Sequence, residues 1–517
     1  MKPIRLMAGF FTVGIWTLLS RVLGFVRDIM VAAYLGTGPV AEAFFVAFSL
    51  PNLFRRFFAE GAFNMAFVPM FSKKLEAGED PEKFAQDAFA GLGGVLTVFT
   101  AVGVIFMPAL VTMMASGFLG TPRFDLAVHY GRIAFPYILF ISLSALLSGV
   151  LNATGRFAAA AAAPVLLNVI FVCTLLIGAY FLTENDQRDI GQMLVFAIPF
   201  AGLAQLALVW VAARQAGFTL GLGWPRMTPE LRHLAVIAAP AALAGGVLQI
   251  NLLVGRQVAS YFDGALAWLT YADRLYQLPL GVVGIAVGIV LLPELSRRLR
   301  AGDDAGGRDA FNRASEISLA LTIPAAVALM VIPLPLVSVL FERGAFGTEA
   351  TAATALAVAI YGLGLPAFVL QKTLQPLFFA REDTKRPFYY ALVAMVLNAA
   401  LAIGLSPLIG FIAAAVGTTC TGWAMVVLLV RGTHNMGDAA KLDAQFKTRL
   451  WRIIVAASGM GGVLALTATL MDPWFHLQTI RYLALVALVV IGMASYFGIG
   501  HVIGAFKLSE FRRSLRG

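Results

Sequence analysis

Ser20-Arg21-Val22-Leu23-Gly24-Phe25-Val26-Arg27-Asp28 lies inside an apolar run that covers roughly residues 8–35. Two arginines in such a run are unusual, because a charged side chain at the centre of a bilayer costs roughly 2.5–3.5 kcal/mol. Arg55 and Arg274 lie equally deep in other apolar runs. We therefore expect these four arginines to face a water-filled cavity rather than lipid, and a cavity with permanent positive charge favours an anion.

The composition indicates a membrane protein. The chain has 517 residues, of which 60% are hydrophobic and 13% charged. Apolar runs recur along its whole length, each long enough to cross a hydrocarbon core of about 30 Å. The first run continues past Arg21 without a cleavage site, which favours a retained helix over a signal peptide. The sequence predicts an all-α integral membrane protein with about fourteen transmembrane helices, over roughly residues 8–35, 40–72, 84–114, 126–153, 159–182, 190–215, 230–262, 265–299, 310–341, 349–380, 387–406, 409–431, 450–471 and 478–506.

The basic residues predict the orientation. With the N-terminus inside and alternating spans, most of the 38 Lys and Arg fall in inside segments, and the outside segments hold four, namely Arg123, Arg188, Arg343 and Arg481. This asymmetry follows the positive-inside rule and predicts cytoplasmic termini. The net charge of +10 is then explained by topology and by contact with anionic membrane lipids, so no nucleic-acid partner is expected.

An internal repeat organises the first twelve spans. Residues 68–80, VPMFSKKLEAGED, match residues 292–304, LPELSRRLRAGDD, without a gap. The offset contains six spans, so both copies have the same membrane orientation and the repeat is parallel. We predict two six-helix lobes, over residues 1–225 and 226–440, that face each other across a central space. Residues 441–517 hold two further helices outside the repeat.

Polar residues accompany the arginines within the spans. Helical spacing puts Ser20 and Arg27 on one face, with Arg21 and Asp28 on the neighbouring face. We expect the carboxylates to orient the arginines and to compete for them when the anion leaves. The supporting residues of the predicted cavity are Ser20, Asp28, Glu42, Asn52, Arg56, Glu60 and Asp273.

Signals for catalysis or metal binding are weak. Cys173 and Cys420 fall in apolar spans, and the five histidines have no metal-ligand spacing. The sequence has no phosphate-binding loop of the Walker type. We therefore expect no enzyme activity, no cofactor and no metal site.

The chain resembles the MviN/MurJ-type lipid II flippases over essentially its whole length. The resemblance rests on residues 20–28, on Tyr271-Ala272-Asp273-Arg274-Leu275, on the loop FERGAF at 341–346, and on the second-span motifs AFFVAF at 43–48, LPNLFRR at 50–56 and AEGAF at 59–63. It implies a fourteen-helix member of the multidrug/oligosaccharidyl-lipid/polysaccharide exporter superfamily in the bacterial inner membrane. It further implies that Arg21, Arg27, Arg55 and Arg274 are cavity arginines, and that the last two helices form a groove for a polyprenyl tail.

The resemblance also implies a substrate, lipid II, an undecaprenyl-pyrophosphate-linked disaccharide-peptide moved from the cytoplasmic to the periplasmic leaflet. We expect alternating access, with Arg27, Arg55 and Arg274 on the pyrophosphate and Arg21 in support. Other cell-wall synthesis proteins are a further class of partner. Three alternatives remain open: a flippase for another polyprenyl-pyrophosphate glycan, a non-transporting scaffold for cell-wall enzymes, and a cation-coupled drug exporter. The sequence leaves the energy source undecided.

Overall fold

The computed structural model describes residues 6–55, 62–181, 187–221, 223–434 and 436–505, and within them the chain is helical, without a β-sheet. These described residues form two short 3₁₀ helices, Ser116–Phe118 and Asp438–Ala440, and eighteen α-helices. The α-helices are α1 Leu6–Leu35, α2 Pro39–Arg55, α3 Ala62–Ala77, α4 Pro81–Ile105, α5 Met107–Ala115, α6 Pro122–Ala134, α7 Tyr137–Ala153, α8 Phe157–Phe181, α9 Gln187–Gln215, α10 Pro229–Ser260, α11 Ala265–Arg300, α12 Asp304–Val331, α13 Pro333–Phe341, α14 Thr348–Phe379, α15 Lys385–Ile409, α16 Ile412–Gly432, α17 Ala444–Phe475 and α18 Arg481–Val502.

The helices follow the predicted spans. Each span contains one helix or two consecutive helices, and the four divided spans contain α2–α3, α4–α5, α6–α7 and α12–α13. Ten helical segments among the described residues are long and apolar enough to cross a membrane. The predicted all-helical membrane fold is confirmed, whereas the number of fourteen crossings stays a prediction.

Two compact units divide the chain. Unit 1 comprises Met1–Ala267 and Arg343–Phe346, and unit 2 comprises Trp268–Glu342 and Gly347–Gly517. Helix α10 belongs to unit 1, where it packs on α3 and α5. The repeat would start its second lobe at residue 226, ahead of this helix, and the lobe boundaries derived from it stay a prediction.

The repeated sequence makes the same turn in each unit. Gly78 follows α3 with φ +69°, and Gly302 follows α11 with φ +71°. The next residue closes the turn in both copies, since Glu79 N donates to Lys74 O and Asp303 N donates to Arg298 O, each at 3.0 Å. A hydrogen bond from a backbone N–H to the carbonyl five residues earlier is typical of a helix that ends at a glycine in the left-handed conformation. Sequence similarity at this offset therefore reflects a shared local structure.

Unit 1 is held by helices packed around aromatic side chains. Helix α1 packs on α8, and α9 packs on both α7 and α8. Phe48 of α2 stacks on Phe44, and its ring lies 5.5 Å from that of Phe171 in α8. These rings fill the space between α2 and α8, so the α1–α8 pair is fixed against a packed interior.

In unit 2, α17 is attached to α12 by buried charges. Glu316 of α12, only 5% exposed, accepts from Arg313 at 2.6 Å and from Arg449 of α17 at 3.1 Å. Arg313 also donates to Asp443, which caps the first turn of α17. Helices α17 and α18 pack on each other, so this network anchors the C-terminal pair.

The loop segment Arg343–Phe346, which belongs to unit 1, contacts the backbone at the end of α1. Ala345 N donates to Ala33 O at 2.8 Å. A Cβ added at Gly36, where φ is +63°, would lie 2.3 Å from Ala345 O, and one at Gly344 would lie 2.3 Å from Ala33 O. Only glycine fits these two positions. A side chain would collide with the backbone of the facing segment, and its own backbone would be strained at positive φ.

We expect Gly36→Ala to lower the apparent melting temperature of the purified protein by at least about twice as much as Gly78→Ala. Both substitutions put alanine at positive φ, which costs about 1–2 kcal/mol. Gly78 has open space around its Cβ position, so it controls for backbone strain alone. Equal losses, measured by thermal unfolding in detergent, would contradict the close approach at Ala345.

Candidate functional site

Three of the four predicted arginines lie on α1 and α2 of unit 1. At about 1.5 Å per residue, Arg21 and Arg27 lie about 21 and 12 Å from the end of α1 at Leu35. Arg55 ends α2, about 24 Å from its start at Pro39. Since a short turn joins α1 to α2, Arg21 and Arg55 lie at similar distances from that turn.

Arg27 is buried and held by hydrogen bonds. It is 8% exposed, and its Nε and Nη2 donate to Asp28 Oδ1 at 3.0 and 2.7 Å. Its Nη1 donates to Asn168 Oδ1 of α8 at 2.8 Å. The guanidinium carbon lies 5.7 Å from the centre of the Phe171 ring. Asp28 thus balances the charge, as the sequence predicts, while α8 supplies a second acceptor.

Asn168 joins the two residues that helical spacing places on one face of α1. Its Nδ2 donates to Ser20 O at 2.9 Å and lies 3.3 Å from Ser20 Oγ, while its Oδ1 accepts from Arg27. Gly24, between them in sequence, faces the same amide group. Sequence reasoning missed Asn168. Its signal was a lone amide within the apolar segment AAAPVLLNVIF at 161–171.

Arg21 and Arg55 have different surroundings. Arg21 is exposed on unit 1, whereas Arg55 is half-buried. Asn52 donates to Phe48 O of its own helix at 2.8 Å, since α2 continues through Pro51 as far as Arg55. The predicted supporting residues Arg56 and Glu60 lie outside the described residues.

Arg274 and Asp273 lie on α11 in unit 2. Both are half-buried, and Gln277 donates to Asp273 from one turn further along the helix. The predicted set is therefore divided, with Arg21, Arg27 and Arg55 in unit 1 and Arg274 in unit 2.

Glu42 is placed with a different arginine from those that the sequence suggested. It is 1% exposed and accepts from Arg123 at 3.0 Å and from the backbone N of Leu266 at 3.3 Å. Arg123 also pairs with Asp263 at 2.8 Å. Glu42 lies in the first turn of α2, thirteen residues or about 20 Å from Arg55. Glu42 thus lies far along α2 from Arg55, and it neutralises Arg123.

We expect Glu42→Leu to lower the stability of the protein by about 3 kcal/mol, because it leaves Arg123 buried without its buried carboxylate partner. Thermal unfolding of the purified protein measures the effect. Glu294→Leu is the control, since Glu294 pairs with the exposed Arg297 and the partly exposed Arg298, and such surface pairs contribute about 0–1 kcal/mol. Equal effects of the two substitutions would show that the buried Glu42–Arg123 pair contributes no more to stability than a surface ion pair does.

Comparison with known proteins identifies the family. The family model described as lipid II flippase MurJ matches residues 31–485. A probable lipid II flippase MurJ of Rhizobium tropici is 43% identical over 99% of this chain and 97% of its own length. A lipid II flippase MurJ of Burkholderia cenocepacia is 33% identical over 99% of both chains.

Solved structures show the same fold. A structure titled lipid II flippase MurJ in an inward closed conformation superposes with a TM-score of 0.78 at 24% identity, covering 98% of this chain and 99% of its own. An inward-facing multidrug resistance MATE family transporter superposes with a TM-score of 0.65 at 14% identity, covering 82% of this chain and 96% of its own. The family model and the extent of sequence identity together show that this chain is a member of the MurJ family.

Proposed function

We propose that this chain moves lipid II from the cytoplasmic to the periplasmic leaflet of the bacterial inner membrane by alternating access. The observation that carries the proposal is the set of arginines within the apolar helices of a chain that belongs to the MurJ family. Transfer of the lipid breaks and forms no covalent bond, so the proposed activity is transport and the chain is not an enzyme.

The chemistry of the substrate explains why arginine occupies these positions. Lipid II has a pyrophosphate between a polar sugar-peptide head and an apolar tail, and unpaired polar groups cost several kcal/mol each in hydrocarbon. Guanidinium groups replace lost hydration with bidentate hydrogen bonds to phosphate oxygens. The tail stays in lipid throughout, and we propose that the groove for it is formed by α17 and α18.

Asp28 has a defined part in this proposal. It accepts two hydrogen bonds from Arg27. An incoming pyrophosphate must compete with this carboxylate for the same cation, and the carboxylate is available again when the substrate leaves. Such competition keeps the anion from binding too tightly to be released.

The remaining site residues are proposed on different grounds. Arg21 and Arg55 lie on α1 and α2 of unit 1 at similar distances from the turn between these helices, which supports their participation beside Arg27. Arg274, with its neighbour Asp273, completes the proposed arginine-lined cavity on the basis of the sequence. Glu42 is better explained as the partner of Arg123, so we leave it out of the proposed site.

We expect Arg27→Ala, Arg55→Ala and Arg274→Ala each to weaken binding of lipid II at least about tenfold, because each removes charged hydrogen bonds worth about 1.5–3 kcal/mol. Arg27→Lys retains the charge but loses the planar fork, so its effect should be intermediate. Binding to the protein in nanodiscs and flipping in proteoliposomes are the measurements.

Arg214→Ala is the control, because the exposed Arg214 lies in the last turn of α9 with its guanidinium over the ring of Trp210 and should not affect binding. Full activity of all three alanine variants at normal expression would refute the arginine site and favour a scaffold role. Equal competition by another polyprenyl-pyrophosphate glycan would leave the site intact but make lipid II only one of its substrates.

We expect a fluorescent protein fused after Gly517 to fluoresce in cells, because the positive-inside rule puts both termini in the cytoplasm. Alkaline phosphatase inserted in the α17–α18 loop, at 476–480, should be active, since that loop is predicted to be periplasmic. The reverse pattern would contradict the orientation and with it the proposed direction of transport.

A further inference from the structure

We propose that Asn168 is a positioning residue that sets the orientation of the Arg27 guanidinium toward the pyrophosphate. This inference rests on the proposed function and adds to it a residue of α8 that carries no charge. The sequence motifs of α1, α2 and α11 do not include it.

The contacts of Asn168 connect α8 to α1 at two points. Its amide oxygen accepts from Arg27 Nη1 at 2.8 Å, and its amide nitrogen donates to Ser20 O at 2.9 Å. The same nitrogen also lies 3.4 Å from Pro164 O of its own helix. With both ends of the amide engaged and only 5% of the residue exposed, the side chain has one well-defined orientation.

Asp28 alone would leave the guanidinium less well defined. Asp28 is the neighbour of Arg27 on the same helix, so its contact fixes the guanidinium only relative to α1. Asn168 fixes it relative to α8, and Phe171, one turn further along α8, lies beneath it. Acceptors on two helices therefore determine both the position of the group and its plane.

A neutral amide suits this task because it orients the cation without cancelling its charge. Asp28 already balances the charge of Arg27, and a second carboxylate at 168 would make this cluster net negative, so that it would repel an anion. A guanidinium has five N–H groups, and the described contacts to Asp28 and Asn168 use three of them. One N–H on each terminal nitrogen is left, which is the requirement for a bidentate contact with phosphate.

The test uses purified protein in nanodiscs with undecaprenyl pyrophosphate as the probe, which retains the anion and the tail but lacks the sugar-peptide head. We expect Asn168→Leu to weaken binding of this probe about tenfold in the wild-type background. In the Arg27→Ala background the same substitution should have almost no effect, because a residue that acts through Arg27 has nothing left to orient.

Gln205→Leu is the matched control for a purely structural loss. Gln205 is 1% exposed and joins helices within unit 1, donating to Ala163 O at 2.8 Å and accepting from Tyr137 Oη at 3.2 Å, without contact to an arginine. We expect it to lower thermal stability about as much as Asn168→Leu does and to leave affinity for the probe unchanged.

Each other outcome refutes a defined statement. Loss of binding in Arg27→Ala but not in Asn168→Leu would overturn the positioning role and leave the proposed function intact. Equal weakening by Asn168→Leu with and without Arg27, or by Gln205→Leu as well, would also overturn it, because the loss would then be structural. Failure of the wild-type protein to bind both lipid II and the probe would instead overturn the proposed function.

Discussion

Burial of a guanidinium among apolar helices is the constraint on which unit 1 depends. Arg27 must have its charge balanced and its N–H groups bonded, since an unpaired charge would cost several kcal/mol. Asp28 meets the first need and Asn168 contributes to the second, so the packing of α1 on α8 is tied to the state of one side chain. In the proposed function, the Arg27 guanidinium exchanges hydrogen bonds to Asp28 for hydrogen bonds to the anion. Asp28 and Asn168 can keep their places in the helices while this happens.

The buried charges elsewhere serve different purposes. Glu42 and Arg123 join α2 to α6 near the start of α2, and Arg123 reaches Asp263 beyond the end of α10. Glu316 receives two arginines and holds α17 to α12. Arg123 pairs with two carboxylates, and Glu316 pairs with two arginines. Such multiple pairing favours a permanent contact over one that opens for a substrate.

The fold itself is shared more widely than the sequence is. A MATE family transporter superposes on most of this chain at 14% identity, so the helical architecture is compatible with very different sequences. Function is carried by sites placed on such a fold. The family of this chain is shown by its sequence, which the MurJ family model matches over residues 31–485.

The sequence by itself determined the helical membrane fold and the family. It also determined the turn that Gly78 and Gly302 share, because hydropathy and the freedom of glycine to adopt positive φ act over a few residues. It also predicted that Ser20 and Arg27 share a face, which follows from helical period. Only the tertiary structure showed that Asn168 links them and that Glu42 belongs to Arg123. Both contacts join residues more than 80 positions apart, and their choice of partner depends on which helices pack together. Local patterns carry no information about that choice.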